Sequence, residues 1–124
     1  VLGASRAKGC DIDPKAVRVA AENAGFNGVE SRLEVFCGDV IGDQELAREL
    51  AGQYPLVLAN IIADVIIPLS AHVGQFLAPD GVFLCSGIIA HRADDVRSAL
   101  EQNGFAIFDR REREGWVSFA ARRK

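Results

Sequence analysis

The sequence has no long apolar run and no methionine, and it contains only three cysteines. No stretch reaches the roughly 18 apolar residues that a membrane-spanning helix requires, and no basic segment followed by an apolar one indicates a signal peptide. The cysteines, Cys10, Cys37 and Cys85, each lie in an apolar run typical of a strand. An odd number of cysteines in such runs favours buried, reduced thiols over a disulfide framework and predicts a cytoplasmic protein.

Histidine is also scarce, and charge is unevenly distributed along the chain. His72 and His91 are far apart and offer no ligand spacing, so we expect no structural metal. Residues 33–91 carry seven acidic residues and the single basic Arg48, whereas residues 92–124 carry eight basic and six acidic residues. We expect the ending Arg122-Arg123-Lys124 to be a solubilising fringe, with a contact to nucleic acid or the ribosome as the alternative.

What the sequence does contain is organised around residues 7–14, which predict a short strand that ends in a carboxylate and turns directly into a helix. Asp13 suits the N-cap, because its side chain accepts a backbone N–H of the first turn, and Pro14 suits the first helical position. Asp11 then lies at the carboxyl end of the strand, where open α/β sheets bind ligands. A carboxylate there can accept both hydroxyls of a ribose; the alternative is that Asp11 only caps the helix. The apolar face of this helix comprises Ala16, Val17, Ala20, Ala21 and Ala24.

The rest of the chain repeats the strand–helix pattern and ends in two strands. Further strands are predicted at 33–37, 56–59, 82–86, 105–108 and 116–120. Helices are predicted after Asp43 as an N-cap, from Val65 towards Pro79, and through 93–100 up to Asn103-Gly104. Pro79-Asp80-Gly81 predicts a turn, and the charged segment 109–114 predicts a polar connection in a terminal hairpin. The pattern indicates an α/β fold with a largely parallel sheet and an antiparallel edge.

Two more polar side chains directly follow predicted strands. Asp39 comes after the second strand, and Asn60 follows the continuous apolar run 56–59, which is typical of a central parallel strand. Asn60 is therefore a candidate site residue, with a polar cap on the following segment as the alternative. The opening of the chain lacks an initiating Met, and Leu2-Gly3 indicates the last turn of a helix. We therefore expect the chain to begin in the middle of a fold, and we find no domain boundary within it.

Two groups of motifs resemble a known family. The segment Gly9-Cys10-Asp11-Ile12-Asp13-Pro14-Lys15-Ala16-Val17, with Glu22-Asn23-Ala24, resembles the second motif of the class I methyltransferases that use S-adenosylmethionine. The segment Val57-Leu58-Ala59-Asn60-Ile61-Ile62-Ala63, followed by Ser86-Gly87-Ile88-Ile89, is similar to PrmA, the family that methylates large-subunit ribosomal protein eleven. The second resemblance is the more specific one.

The resemblance implies a Rossmann-like sheet, mostly parallel with a terminal antiparallel hairpin, and methyl transfer from S-adenosylmethionine to amino groups of a ribosomal protein. It also implies site roles. Asp11 would hold the ribose hydroxyls, Ile12 would pack on the adenine, Asp39 would lie near the adenine amino group, and Asn60 would be the catalytic residue, close to both cofactor and amine. It implies no direct nucleic-acid or membrane partner, and it leaves the oligomeric state open.

One departure from the family is severe. Nothing in the chain matches the glycine-rich first motif, so the family's first strand and first helix are expected to be missing. We therefore expect residues 1–124 to be a single, partial catalytic domain from the carboxy-terminal part of a longer protein, inactive by itself. A non-catalytic α/β module and a class I methyltransferase that acts on a small molecule remain the alternatives.

Overall fold

The structure is a computed structural model that describes residues 4–124. The helix ending predicted at Leu2-Gly3 lies outside the described residues. The chain divides after Leu50 into two compact units, the amino-terminal unit, Val1–Leu50, and the carboxy-terminal unit, Ala51–Lys124. Each unit is described in turn.

The amino-terminal unit alternates two strands with two helices: β1 (Ala7–Asp11), α1 (Pro14–Phe26), β2 (Leu33–Cys37) and α2 (Gln44–Leu50). β1 and β2 pair in parallel, with Ala7 opposite Leu33 and Asp11 opposite Cys37. The predicted order of elements is therefore confirmed here. The parallel register places the carboxyl ends of the two strands at the same edge of this sheet.

Both helices of this unit begin as their sequences predict. Asp13 is the N-cap of α1, and its Oδ1 accepts the backbone N–H of Lys15 at 2.9 Å. Asp43 Oδ1 accepts the backbone N–H groups of Glu45 at 3.0 Å and Leu46 at 3.1 Å at the start of α2. The predicted apolar face of α1 is only partly covered, since Ala24 alone among the helix residues is buried.

The carboxy-terminal unit contains four strands and two α-helices. They are β3 (Tyr54–Asn60), α3 (Ala63–Leu69), β4 (Leu77–Ile89), α4 (Ala93–Gln102), β5 (Phe105–Arg113) and β6 (Trp116–Arg123), with 3-10 turns at Val73–Phe76 and Ala90–Arg92. The strand order is β3-β4-β6-β5, with β3 and β4 parallel and the other pairs antiparallel. The predicted parallel sheet with an antiparallel terminal hairpin is confirmed.

The core of this unit lies between the sheet and its helices. Phe83 and Phe105 pack with their ring centroids 6.0 Å apart and their planes tilted by 50°. Ile66 of α3 and Val96 and Leu100 of α4 are completely buried. The amphipathic spacing that predicted these helices therefore reflects their packing on the sheet. No helix of residues 4–124 is both long and apolar enough to cross a membrane.

Several predicted boundaries are wrong, and the reasons are physical. The helix predicted towards Pro79 ends at Leu69, because beyond Ser70 the backbone changes to tighter i→i−3 bonds, from Ala71 N–H to the Pro68 oxygen and from His72 N–H to the Leu69 oxygen. The predicted turn Pro79-Asp80-Gly81 lies within β4, in an irregularity where residues 78–81 have no partner on β3. Paired charges continue β5 through Arg113, and the true hairpin turn is Glu114-Gly115. Both turn residues have positive φ, the geometry of a type I′ turn.

One expectation about exposure is also corrected. Cys10 and Cys37 lie in strands as predicted, but both are exposed, and only Cys85 is buried. The three residues of the basic ending are exposed as expected, but one of them has specific partners. Arg123 Nη2 donates to the backbone oxygens of Gly74, at 2.7 Å, and Leu77. These hydrogen bonds join the end of β6 to the 3-10 turn at Val73–Phe76 and to the first residue of β4.

Candidate functional site

Asp11, the predicted ribose ligand, is the last residue of β1 and is exposed. Its Oδ1 accepts the backbone N–H of Asp13 at 2.9 Å. This local bond turns the chain from strand to helix and fixes the carboxylate, while the other carboxylate oxygen has no partner among the described residues. Asp13, and not Asp11, therefore caps α1, while Asp11 shapes the turn before the helix. The ribose role of Asp11 stays a prediction.

The same edge of the amino-terminal sheet carries the other two predicted cofactor residues. The side chain of Ile12 is 72% exposed. Asp39 follows β2 after Gly38, and its Oδ1 accepts the backbone N–H of Ile41 at 2.9 Å. The N–H of Gly38 donates to the backbone oxygen of Asp11 at 2.9 Å and joins the two strand ends.

The charges at this edge act on one thiol. Although the Cys10 residue as a whole is exposed, neighbouring atoms partly remove its thiol from water and so raise its pKa, and the negative charges of Asp11 and then Asp39 raise it further. The negative charges of Asp11 and Asp39 therefore both reach the Cys10 thiol in β1. The structure brings Asp11, Ile12 and Asp39 to one edge of the amino-terminal unit, as the sequence predicts, and the edge is open enough to admit a ligand.

Asn60 ends β3 in the carboxy-terminal unit and is exposed. It pairs with Ser86 on β4, and the next N–H, that of Ile61, donates to the Ser86 oxygen at 3.2 Å. Helix α3 begins at Ala63 with Ile62 as its N-cap residue, and no side chain caps it. The alternative role of Asn60, a cap on the following segment, is therefore not the observed arrangement. Among residues 4–124 its amide has no hydrogen-bond partner and faces solvent.

Gly87 was not predicted as a site residue, yet it directly shapes the surroundings of Asn60. Its φ is +80°, and a Cβ placed on it would lie 2.7 Å from Asn60 Oδ1 and 3.1 Å from the Ile61 oxygen. Only glycine allows both this φ and this approach. A glycine directly after a predicted strand was the available signal.

A shallow cleft of about 210 Å³ adjoins this position within the carboxy-terminal unit. It forms because β4 bulges between Cys85 and Ile88, which takes Ser86 and Gly87 out of the ladder with β6. Trp116, which is 55% exposed, and the hairpin arginines Arg111 and Arg113 line the opposite side. The cleft offers an aromatic face and positive charge next to the end of β4.

An ion-pair cluster links the segments that follow β3 and β4. Arg92 Nη1 lies 2.8 Å from Asp64 Oδ1, and Arg92 Nε lies 2.8 Å from Asp95 Oδ2. Hydrogen bonds to Asp64 and then Asp95 raise the already high pKa of Arg92, so it is a permanent cation. The sequence could not predict this pair, because its members are 28 residues apart. Within residues 4–124, no group of three or more His, Cys, Asp or Glu side chains is arranged to hold a metal ion.

The fold is the Rossmann-like fold of the class I methyltransferases. A ribosomal protein L11 methylase from Lactobacillus delbrueckii subsp. bulgaricus matches with a TM-score of 0.87 at 28% identity, over 99% of this chain and 60% of that one. The Methanococcus jannaschii fibrillarin pre-rRNA processing protein shares the fold at 16% identity, with a TM-score of 0.79 over 95% of this chain and 56% of that one.

The family follows from the sequence comparison. The model of the family described as "Ribosomal protein L11 methyltransferase (PrmA)" matches residues 1–124, and the chain belongs to this family. Ribosomal protein L11 methyltransferases from Pelotomaculum thermopropionicum and Lachnoclostridium phytofermentans are 45% and 39% identical, over 99% and 98% of this chain. The chain spans only 38% and 41% of the length of these two relatives.

Proposed function

We propose that the protein containing this chain transfers methyl groups from S-adenosylmethionine to amino groups of ribosomal protein L11 in the cytoplasm. The observation that carries the proposal is the family match along all 124 residues, together with relatives that bear this name. We propose that residues 1–124 are a single, partial catalytic domain, in which Asp11, Ile12 and Asp39 bind the cofactor and Asn60 orients the amine.

The residues of the amino-terminal unit fit an adenosine. Asp11 retains a free carboxylate oxygen at an exposed strand end, which suits a ribose hydroxyl, and its bonded oxygen has a further lone pair for the second hydroxyl. Ile12 offers an exposed apolar face to a purine, and Asp39 offers an acceptor for an amino group. The Asp11 and Asp39 carboxylates each accept a backbone N–H group, so binding to them costs little further ordering.

S-adenosylmethionine, when bound, supplies a methyl group that its sulfonium already activates, so the protein needs no covalent nucleophile. The residues therefore contribute position and exclusion of water. Asn60 cannot act as a base, because its amide does not titrate near neutral pH. Its carbonyl oxygen can accept an N–H of the incoming amine and direct the nitrogen lone pair. The free, exposed amide at the end of β3 supports this role.

The experiment measures cofactor affinity and turnover separately, in protein expressed with whatever sequence flanks Val1–Lys124 in its natural gene. We expect Asp11→Ala to weaken S-adenosylmethionine binding by about 10-fold to 100-fold in calorimetry, since hydrogen bonds to a charged group are lost. Asp11→Asn keeps the bond to the Asp13 N–H and tests the charge alone. An unchanged dissociation constant in both variants would rule out the ribose role.

For Asn60→Ala we expect turnover on ribosomal protein L11 to fall at least about 100-fold, with the cofactor dissociation constant within a few-fold of wild type. Asn23→Ala is the matched control, because Asn23 is an exposed asparagine whose amide, like that of Asn60, makes no hydrogen bond in the described part of the chain, whereas the Asn27 amide donates to the Asn23 backbone oxygen at 2.8 Å. Equal losses of turnover and cofactor affinity would contradict the role of Asn60. Methyl transfer to small amines but not to the ribosomal protein would overturn the proposed substrate.

A further inference from the structure

Asn60 is held by its backbone and not by its side chain. Its amide makes no hydrogen bond within the described part of the chain, so the direction of the amide depends on the path of residues 60–64, the β3 exit. The partner segment is residues 86–92, the β4 exit. Near Asn60 the two exits are joined by the Ile61 N–H to Ser86 oxygen bond and by the close approach of Gly87.

The far ends of the two exits are joined by Arg92. Its Nη1 contacts Asp64 in the first turn of α3, while its Nε contacts Asp95 in the first turn of α4, both at 2.8 Å. The Arg92 side chain is 31% exposed, compared with 69% for Asp64 and 61% for Asp95. A planar guanidinium that uses two nitrogens on two carboxylates fixes direction as well as distance.

Only a few residues separate the ion pairs of Arg92 from Asn60 on one exit and from Gly87 on the other. Only Ile61 and Ile62 separate Asn60 from the first residue of α3, and the N–H groups of Val65 and Ile66 both donate to the Ile62 oxygen. Asp64 therefore lies four residues along the chain from Asn60, in the first turn of the helix that follows β3. On the other exit, Arg92 lies five residues beyond Gly87, where an added Cβ would lie 2.7 Å from Asn60 Oδ1.

We propose that Arg92 is a positioning residue for methyl transfer: by binding Asp64 and Asp95 it locks the β3 and β4 exits together and so orients the Asn60 amide towards the amine. This inference rests on the proposed role of Asn60. Arg92 itself touches no reacting atom. Its contribution is to reduce the number of directions in which the Asn60 carbonyl can point.

The chain offers a matched control. Arg97 Nη2 lies 3.0 Å from Asp94 Oδ1 on α4, with the same residue types and i,i+3 spacing as the Arg92–Asp95 pair, and it contacts neither exit. We call the ion pairs of Arg92 with Asp64 and Asp95 the clamp. Arg97→Gln removes an arginine–aspartate pair from the same helix and leaves the clamp intact. Arg92→Gln, Asp64→Asn and the double variant remove the clamp itself.

The test uses the protein with its natural flanking sequence. For Arg92→Gln we expect kcat to fall about 10-fold, with the S-adenosylmethionine dissociation constant within twofold and Tm equal to that of Arg97→Gln. Asp64→Asn should reproduce this loss, and the double variant should lose no more than either single one, because the same contact is removed. Arg92→Lys should recover part of kcat, since an ammonium can replace only one of the two contacts.

A second readout does not depend on activity. The side-chain NH₂ resonances of Asn60, assigned by their loss in Asn60→Ala, should move or broaden in Arg92→Gln and stay unchanged in Arg97→Gln. Unmoved resonances, or a kcat loss no larger than that of Arg97→Gln, would overturn the positioning role. If the wild-type protein methylates nothing but the resonances move, the clamp stands and the proposed function falls.

Discussion

The two units of the chain hold their candidate site residues by different means. Of the hydrophobic residues buried in the described structure, four lie in the amino-terminal unit and nineteen in the carboxy-terminal unit. The four are Ala24, Leu46, Ala47 and Leu50, whereas the nineteen include three phenylalanines that are almost completely buried. A two-stranded sheet with so few buried side chains has little packing energy of its own.

Local hydrogen bonds take the place of packing in the amino-terminal unit. The oxygens of Asp11, Asp13 and Asp39 each accept an N–H two residues further along the chain. Such turns need no distant partner. In the carboxy-terminal unit, Asn60 stands instead on a strand whose ladder continues through β4 and β6 into a close-packed core. The comparison teaches that Asp11 and Asp39, the proposed cofactor residues, are positioned by short-range hydrogen bonds, whereas the backbone of Asn60, the proposed amine-orienting residue, is positioned by pairing with a distant strand.

The largest expected effect comes from truncating one phenylalanine in each unit. Phe83→Ala should cost about 3–5 kcal/mol of unfolding free energy, because its side chain is fully buried against Phe105. Phe26→Ala, at a residue 84% exposed, should change it by less than about 0.5 kcal/mol. Urea unfolding followed by the fluorescence of Trp116, the only tryptophan, and by circular dichroism measures both. Similar losses of unfolding free energy in the two variants would contradict the conclusion that the two units differ in packing.

A smaller effect concerns the buried thiol. Burial raises the pKa of Cys85 from 9.0 to about 11. Below pH 9 the thiol is neutral in both states and its contribution to stability is complete. Between about pH 9 and 11 the unfolded thiol ionises while the folded one does not, so stability should fall by roughly 1 kcal/mol per pH unit.

Unfolding measured at several pH values from about 8, one unit below the unfolded pKa, to about 11, the folded pKa, tests this slope. Cys85→Ala should remove the part of the pH dependence that the Cys85 thiol contributes, even if the substitution lowers stability at every pH. Cys37→Ala is the matched control, because Cys37 is exposed, and it should keep the wild-type pH dependence. A slope that is the same in both variants would contradict the assignment to Cys85.

The features that the sequence predicted correctly have local signals. Asp13-Pro14 marks the start of α1, Asp43 marks the start of α2, and Asn103-Gly104 marks the end of α4. The position of Asn60 was also predicted, because an apolar run ending in an asparagine shows where a strand stops. The prediction that this strand is central is wrong for the described sheet: β3 lies at its edge, and Leu56 and Leu58 are 51% and 65% exposed. The roles of Asp11, Ile12, Asp39 and Asn60 themselves stay predictions.

The features that the sequence missed depend on distant partners. β5 continues through charged residues because β6 pairs with them, and edge strands tolerate charge. Gly87 matters because Asn60 approaches it across the sheet, and Arg92 matters because Asp64 lies 28 residues away. The exposure of Cys10 and Cys37 follows from how little of the amino-terminal sheet is covered, which strand periodicity does not reveal.

The smallest effect distinguishes local from packing support directly. α1 has a side-chain cap from Asp13, whereas α4 has none and is held by Val96 and Leu100 in the core. Asp13→Ala should therefore cost about 1 kcal/mol and raise the hydrogen-exchange rates of α1 amides roughly fivefold, with no change in α4. Asp13→Asn, which keeps the accepting oxygen, should retain most of the protection. If α4 amides respond as strongly as those of α1, the two units share one cooperative stability and local capping is not what holds the amino-terminal unit.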